Sequence, residues 1–138
     1  MKKNSLLFIL FIFLQSCLYD YELKPLEPYF IFHDHSSKVW LVDKSLHSNL
    51  EIGPNNIQEK EILIFHKNRK CYFYLLNNMA KGAYKIVDFK IDAENKQLVF
   101  IEKNKIEKYN LLYYSHDKIE IENKSNEIKK LLISFPEY

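Results

Sequence analysis

The stretch AYKIVDFKIDAENKQLVFIE, residues 83–102, gives the clearest indication of how this chain folds. In its first half Val87, Phe89 and Ile91 would share one face of a strand, and charged residues lie between them. Such period-two alternation is typical of a β-strand with one buried and one solvated face. The polar segment DAENK then separates this run from the apolar run QLVFIE at hairpin spacing. The stretch therefore predicts two consecutive antiparallel strands.

Similar short apolar runs, separated by polar turns, continue on both sides of this hairpin. They are YFIFH (29–33), KVWLV (38–42), EILIFH (61–66), CYFYLL (71–76), IEKYNLLYY (106–114), KIEIE (118–122) and IKKLLISF (128–135). The last run also fits helical spacing, so a helix is the alternative there. Because the chain has only 2 glycines and short connections, we expect consecutive antiparallel pairing. We predict an all-β fold of about eight strands, closed into an up-and-down barrel or folded as a sandwich.

The chain begins MKKNSLLFILFIFLQSC, in which a short apolar run follows two lysines. A helix needs roughly 20 apolar residues to cross a bilayer, whereas the apolar region of a signal peptide needs only about 7–15. We therefore interpret residues 1–16 as a signal peptide that is removed on export. This segment carries Lys2 and Lys3, which match the whole formal net charge of +2. Without a basic excess in the mature chain, we expect no nucleic-acid partner.

The end of this segment, Leu14-Gln15-Ser16-Cys17, resembles the lipobox of bacterial lipoproteins. In that family the cysteine thiol receives a diacylglycerol and the signal is cut before it. The resemblance implies that Cys17 is the lipidation site that holds the protein on a membrane, because several acyl chains on one residue anchor stably. It also implies a tether over residues 17–28 and a domain over residues 29–138. Leu18, rather than aspartate, follows the cysteine, which by analogy favours the outer membrane, with the domain facing the periplasm or the cell surface.

The order of features over residues 38–135 is similar to that of lipocalin-like domains found in bacterial lipoproteins. The similarity lies in the tryptophan-bearing strand KVWLV, the pair EILIFH and CYFYLL, and the step Gly82-Ala83-Tyr84. Lys38 replaces the glycine with which such domains usually open. The resemblance implies a non-catalytic module that binds a small apolar ligand or a protein partner. It leaves open whether the barrel closes around a cavity.

A further resemblance is to accessory lipoproteins of type VI secretion clusters in Bacteroidota. It rests on the lipobox, the compact β domain, the block EKEILIFHKNRKCYFY and the FPEY end. This resemblance implies an alternative function, in which the protein is a structural accessory of an envelope machine.

The most metal-like cluster in the sequence is His33-Asp34-His35. In an extended strand, residues i and i+2 point to one face, so His33 and His35 could share a zinc ion. A third ligand would have to come from one of the other histidines, His47, His66 or His116. Since Asp34 and the serines that follow suit a turn, we predict no metal site and no cofactor.

The sequence contains no pattern of catalytic residues, and we predict that the protein is not an enzyme. Ser115-His116-Asp117 has the residue types of a hydrolytic triad, but adjacent side chains point apart, so we expect a turn. Cys71 lies in an apolar strand and is expected to be a buried, inert thiol. Three consecutive aromatic residues, Tyr72, Phe73 and Tyr74, would put rings on both faces of a strand. One face would belong to the core, and the other would be either ordinary exposed surface or a contact surface. We expect Trp40 to anchor the core near one barrel end.

Overall fold

A computed structural model describes residues 28–135 of the chain. This part begins with a short helix, α1 (Pro28–His33), and continues with nine strands. The strands are β1 (Ser37–His47), β2 (Leu50–Ile52), β3 (Glu61–His66), β4 (Lys70–Leu75), β5 (Lys85–Asp92), β6 (Gln97–Glu102), β7 (Lys105–Tyr114), β8 (Lys118–Asn123) and β9 (Ile128–Ser134). Two 3₁₀ segments, Ile57–Glu59 and Leu76–Lys81, lie in the longer connections. Within the described residues, no helix combines the length and the apolar character that a membrane span requires.

The strands form an antiparallel sheet that closes on itself. Each strand pairs with the next in the order β2-β1-β3-β4-β5-β6-β7-β8-β9, and β1 also pairs with β9 from Trp40↔Ser134 to His47↔Ile128. Eight strands, β1 and β3 to β9, therefore make a closed up-and-down barrel. The additional strand β2 pairs with residues 45–47 at the end of β1, beyond the residues of β1 that pair with β3. The all-β prediction is confirmed, and the barrel rather than the sandwich is the fold that forms.

The hairpin predicted from residues 83–102 is strands β5 and β6. Val87 and Phe89 are buried, whereas Asp88 and Lys90 are exposed, as the alternation requires. Asp92 organises the turn because its carboxylate accepts hydrogen bonds from the backbone and side chain of Asn95, at 3.0 and 2.8 Å. The aspartate thus acts as a turn residue through its side chain, which is the usual reason for its preference there.

One apolar run was wrongly predicted as a strand. YFIFH forms the helix α1, which packs across one end of the barrel, and its Phe32 ring lies 4.8 Å from that of Phe65. Trp40 fixes the helix by donating its indole N–H to the carbonyl of Phe32 at 3.0 Å. Since β1 and β9 close the barrel, this segment has no sheet edge to join, and proline fits the start of a helix. The alternative helix at the C-terminal run is also wrong, because β9 pairs on both sides.

The core fills the half of the barrel nearest α1, which we call the closed end. Its largest fully buried side chains include Trp40, Phe32, Phe65, Phe89 and Leu98. Trp40 is therefore the core anchor that the sequence predicted near one end. The opposite end, which we call the open end, is surrounded by the β1–β2 hairpin, the two 3₁₀ segments and the turns after β6 and β8.

Several expectations concern parts of the chain beyond these elements. The signal peptide, Cys17 and residues 18–27 of the tether lie outside the described residues, as do residues 136–138 of the FPEY end. Pro28, which we assigned to the tether, is the first residue of α1.

Candidate functional site

The barrel interior contains a cavity of about 200 Å³ at the open end. Its floor is apolar and is made by inward-facing residues of five strands, namely Leu63, Phe73, Phe100, Tyr109 and Ile121. Three of these rings form a chain of edge-to-face contacts, with 5.5 Å between the centroids of Phe73 and Phe100 and 5.8 Å between those of Phe100 and Tyr109. Eight-stranded barrels enclose just enough space for a filled core or one small ligand. In this barrel the closed end is filled by side chains, whereas the open end contains the cavity.

The wall of this cavity is charged. Glu61 starts β3 and Lys130 lies in β9, and their side chains reach across β1 to form an ion pair of 2.7 Å. Each of the two side chains is only about one fifth exposed, at 21% and 20%. The Tyr84 hydroxyl donates a hydrogen bond to the second oxygen of Glu61. Lys85 and Glu107 complete the polar part of the lining.

Two tyrosines in this cavity are held in the neutral form. Burial, followed by the hydrogen bond to Glu61, raises the pKa of Tyr84 well above its ordinary value. Burial, followed by the carboxylates of Glu107 and Glu61, raises the pKa of Tyr109 to about 12. The hydrogen bond from Lys105 lowers the pKa of Glu107, so this residue is a carboxylate at neutral pH. The cavity therefore presents neutral hydroxyls beside charged groups.

A second cavity, of about 310 Å³, adjoins the first on the solvent side. It lies beneath the β1–β2 hairpin and is lined by Ile52, Pro54 and Leu75 among others. Glu61 and Lys130 line both cavities, so their ion pair lies where the two adjoin; we call the first cavity the inner compartment and the second the outer compartment. Ile52 and Leu75 are exposed at 44% and 37%, so the mouth of the outer compartment has an apolar rim.

The histidine cluster does not form a shared site. His33 ends α1 and is buried, and among residues 28–135 neither of its ring nitrogens has a hydrogen-bond partner. His35 is exposed in the following turn, where Asp34 and His35 both have positive φ values, 49° and 68°. The i and i+2 geometry of a strand is therefore not present. Within residues 28–135, no group of three or more histidine, cysteine or acidic side chains is arranged to hold a metal ion.

Asp34 belongs instead to a cluster of charges at the closed end. Its carboxylate lies 3.5 Å from Lys38 and 3.2 Å from a ring nitrogen of His116. Lys38 is 7% exposed, lies over the Trp40 ring at 4.7 Å, and approaches His116 Nδ1 at 3.1 Å. The residue that replaces the expected glycine thus ties β1 to the turn between β7 and β8.

The other candidate catalytic residues occupy ordinary structural positions. Ser115 and Asp117 are hydrogen bonded at 2.7 Å within the turn between β7 and β8, so the predicted turn is confirmed. Cys71 is fully buried, and burial raises the pKa of its thiol well above the usual value. Both positions lack the geometry of an activated nucleophile.

The charged residues of the cavity were missed by the sequence analysis. Glu61 has the same strand parity as the buried residues Leu63 and Phe65. In the same way, Glu107 shares the parity of Tyr109 and Leu111, and Lys130 shares that of Leu132. The sequence did contain a signal for these residues: each is charged, lies toward the end of a strand, and has the same strand parity as buried apolar residues, which places it on the inward face. Comparisons with models of protein families, with curated proteins and with solved structures find no match to this chain.

Proposed function

We propose that this protein is a lipid-anchored lipoprotein of the bacterial envelope, in the outer membrane, and that its barrel binds a small ligand non-catalytically at the open end. The observation that carries the binding function is the inner compartment, a cavity of about 200 Å³ with an aromatic floor and a charged wall. Binding sites are concave and mainly apolar, with a few polar groups that fix orientation. The anchor is supported by the lipobox that ends at Cys17.

The geometry of the chain fits an anchored binding module. The tether joins the barrel through α1, which covers the closed end, whereas the two compartments are at the opposite end. A ligand could therefore enter from the side away from the point of attachment. Because four charged side chains line the inner compartment, the ligand that fits is amphipathic rather than purely apolar.

The binding function is tested by filling the inner compartment. Small aromatic amphiphiles would be screened by NMR chemical-shift perturbation against the full chain in lipid nanodiscs. Ile121→Phe adds volume at the cavity floor, whereas Ile86→Phe adds it to a side chain that is 50% exposed on the outer surface. We expect bound amphiphiles to be lost from Ile121→Phe and kept by Ile86→Phe. Equal binding by both variants would show that the cavity is not the site.

The anchor is tested by the intact mass of the protein extracted from membranes, beside a Cys17→Ala variant. We expect the native chain to lack residues 1–16 and to carry acyl chains, and the variant to lose both changes. A native mass that retains residues 1–16 without added lipid would contradict lipidation, whatever the result for the cavity.

The second candidate function is that of an accessory lipoprotein in a type VI secretion assembly. It is supported by an outer apolar wall, made by the paired, outward-facing residues Val39, Ile64, Tyr72 and Ile86 on four adjacent strands. Tyrosine beside aliphatic side chains is typical of protein interfaces. Pull-down from native membranes should recover secretion proteins with the native chain and lose them with Tyr72→Glu, but not with Lys108→Glu on the opposite wall. Recovery of no stable partner would count against this function.

A further inference from the structure

We propose that the ligand of the open end is a small zwitterion that carries an apolar group, of which an α-amino acid with an aromatic side chain is the simplest example. This inference rests on the proposed binding function and assigns its ligand class. It follows from the one ion pair that both compartments share and from the way the other charges of the cavity are already paired.

The Glu61–Lys130 pair controls how much space a ligand can use. The inner compartment alone, at about 200 Å³, is comparable to a cavity that holds a single benzene ring, about 150 Å³. A ligand with a ring and any polar group must therefore extend toward the outer compartment. Since the pair lines both compartments, such a ligand would pass between Glu61 and Lys130 and open their ion pair.

The charges of the ligand follow from the two charged groups that separate when the Glu61–Lys130 ion pair opens. Both side chains are largely buried, so an opened pair leaves the Lys130 ammonium group without its carboxylate and the Glu61 carboxylate with only the Tyr84 hydroxyl as a partner. Leaving a buried charge unpaired is strongly unfavourable. A neutral ligand would compensate neither group, an anion only Lys130, and a cation only Glu61. A zwitterion places an ammonium group against Glu61 and a carboxylate against Lys130, and so replaces both interactions.

The remaining charged side chains of the cavity already have partners. The ammonium group of Lys85 lies 3.3 Å from the carboxylate of Glu102 and 5.3 Å from the centre of the Phe73 ring. Glu107 forms an ion pair with Lys105. Of these residues, Lys85 and Glu107 line the inner compartment and add one positive and one negative charge to it, so its formal charge stays balanced. The inner compartment therefore has no net formal charge to favour a simple anion or a simple cation.

The apolar part of the ligand is indicated by the floor. The rings of Phe73, Phe100 and Tyr109 meet edge to face, and a further ring can join them in the same way. The Tyr84 hydroxyl, now bonded to Glu61, lies at the same wall and can donate to a ligand carboxylate when the pair opens.

The test uses four compounds with one skeleton and different charges: L-phenylalanine, phenethylamine, 3-phenylpropionate and 3-phenylpropanamide. Their binding to the full chain in lipid nanodiscs would be measured by isothermal titration calorimetry. We expect phenylalanine to bind at least about tenfold more tightly than each of the others, since each of them leaves one or both charges uncompensated. Tighter binding of the amine, the acid or the amide would overturn the zwitterion but leave the binding function in place. If none of the four compounds bound, the zwitterion would also be rejected, and the function would be judged by the cavity-filling experiment alone.

Variants locate the site. Glu61→Gln and Lys130→Met should each remove the preference for phenylalanine, whereas Lys129→Met, which changes the neighbouring residue on the outer face of β9, should keep it. Because either cavity variant could lose stability, backbone amide shifts of the native protein provide an independent measurement. Phenylalanine should perturb residues around Glu61, Tyr109 and Lys130. Perturbation confined to α1 or to the outer surface would contradict the proposal.

Discussion

His33 is the residue whose protonation the fold opposes most clearly. Its ring lies 4.4 Å from that of Tyr29, in edge-to-face geometry, and both of its nitrogens are buried with no hydrogen-bond partner in the described part of the chain. Burial is the main reason that the pKa of His33 is lowered from its ordinary value of 6.5, with smaller contributions from His35 and Lys67. The folded protein therefore binds this proton less readily than the unfolded chain does.

This depressed pKa makes stability depend on pH. As the pH falls below about 6.5, the unfolded chain gains a proton that the folded chain does not, so the free energy of unfolding should fall by up to about 1.4 kcal/mol per pH unit. The loss ends when the pH passes the lower pKa of the folded state. Urea unfolding between about pH 7 and pH 5 should show a smaller loss for His33→Leu than for the native chain. Parallel curves for the two proteins would contradict this account.

Cys71 offers a second prediction at the level of one residue. Its side chain is fully buried, and burial raises the pKa of the thiol, so the reactive thiolate is both scarce and inaccessible. We expect iodoacetamide to leave Cys71 unmodified in the folded protein and to alkylate it in denaturant, as measured by mass spectrometry. Rapid alkylation under native conditions would show that β4 opens.

The charged residues of the cavity show where sequence information ends. Strand parity can place Glu61 and Lys130 on inward faces, because both are in step with buried neighbours. It cannot show that they meet, since the two are 69 residues apart and the contact depends on how β9 pairs with β1. That register includes an irregularity between Val42 and Lys44, which the sequence does not mark.

At the level of elements, α1 determines which end of the barrel is filled. Phe32 is fully buried against Phe65 and Trp40, whereas Phe30 in the same helix is 38% exposed. Phe32→Ala should therefore lower the free energy of unfolding by about 3–5 kcal/mol, because it removes a buried ring and leaves a cavity. Phe30→Ala should cost far less. Chemical denaturation of both variants measures the difference, and similar costs would show that α1 does not pack as described.

The same helix explains why one element was predicted wrongly while its neighbours were not. β3 and β6 were predicted with their observed bounds, because their apolar runs alternate or are bounded by clear polar turns. YFIFH is equally apolar but has only the length of a single helical turn or a short strand, and local sequence does not separate the two. The decision comes from the closed barrel, which offers this segment an end to cover and no edge to extend.

Closure is the property of the whole molecule from which the other features follow. Pairing of β1 with β9 removes the edges of the eight-stranded ring and leaves an interior that α1 and the large core side chains fill from one side only. The space that they do not fill is the site at the open end. On the outer surface, the outer apolar wall lies on β1, β3, β4 and β5, whereas β7 and β8 carry charged residues such as Lys108 and Glu120 beside exposed apolar side chains such as Leu112.

Hydrogen exchange of the backbone amides tests whether the barrel is closed and which strands are the most stable. The backbone amides of β1, β3 and β9 that surround Trp40 and Leu132 lie between strands on both sides and beside the filled core, so they should be among the last to exchange. Amides in β2 should exchange early, since β1 is the only strand beside it among the residues that the structure describes, and all three residues of β2 are exposed. Exchange measured by NMR on the full chain separates the two groups. Fast exchange along β9 would mean that the barrel is open between its first and last strands, and in that case Glu61 and Lys130 would not be held together across β1.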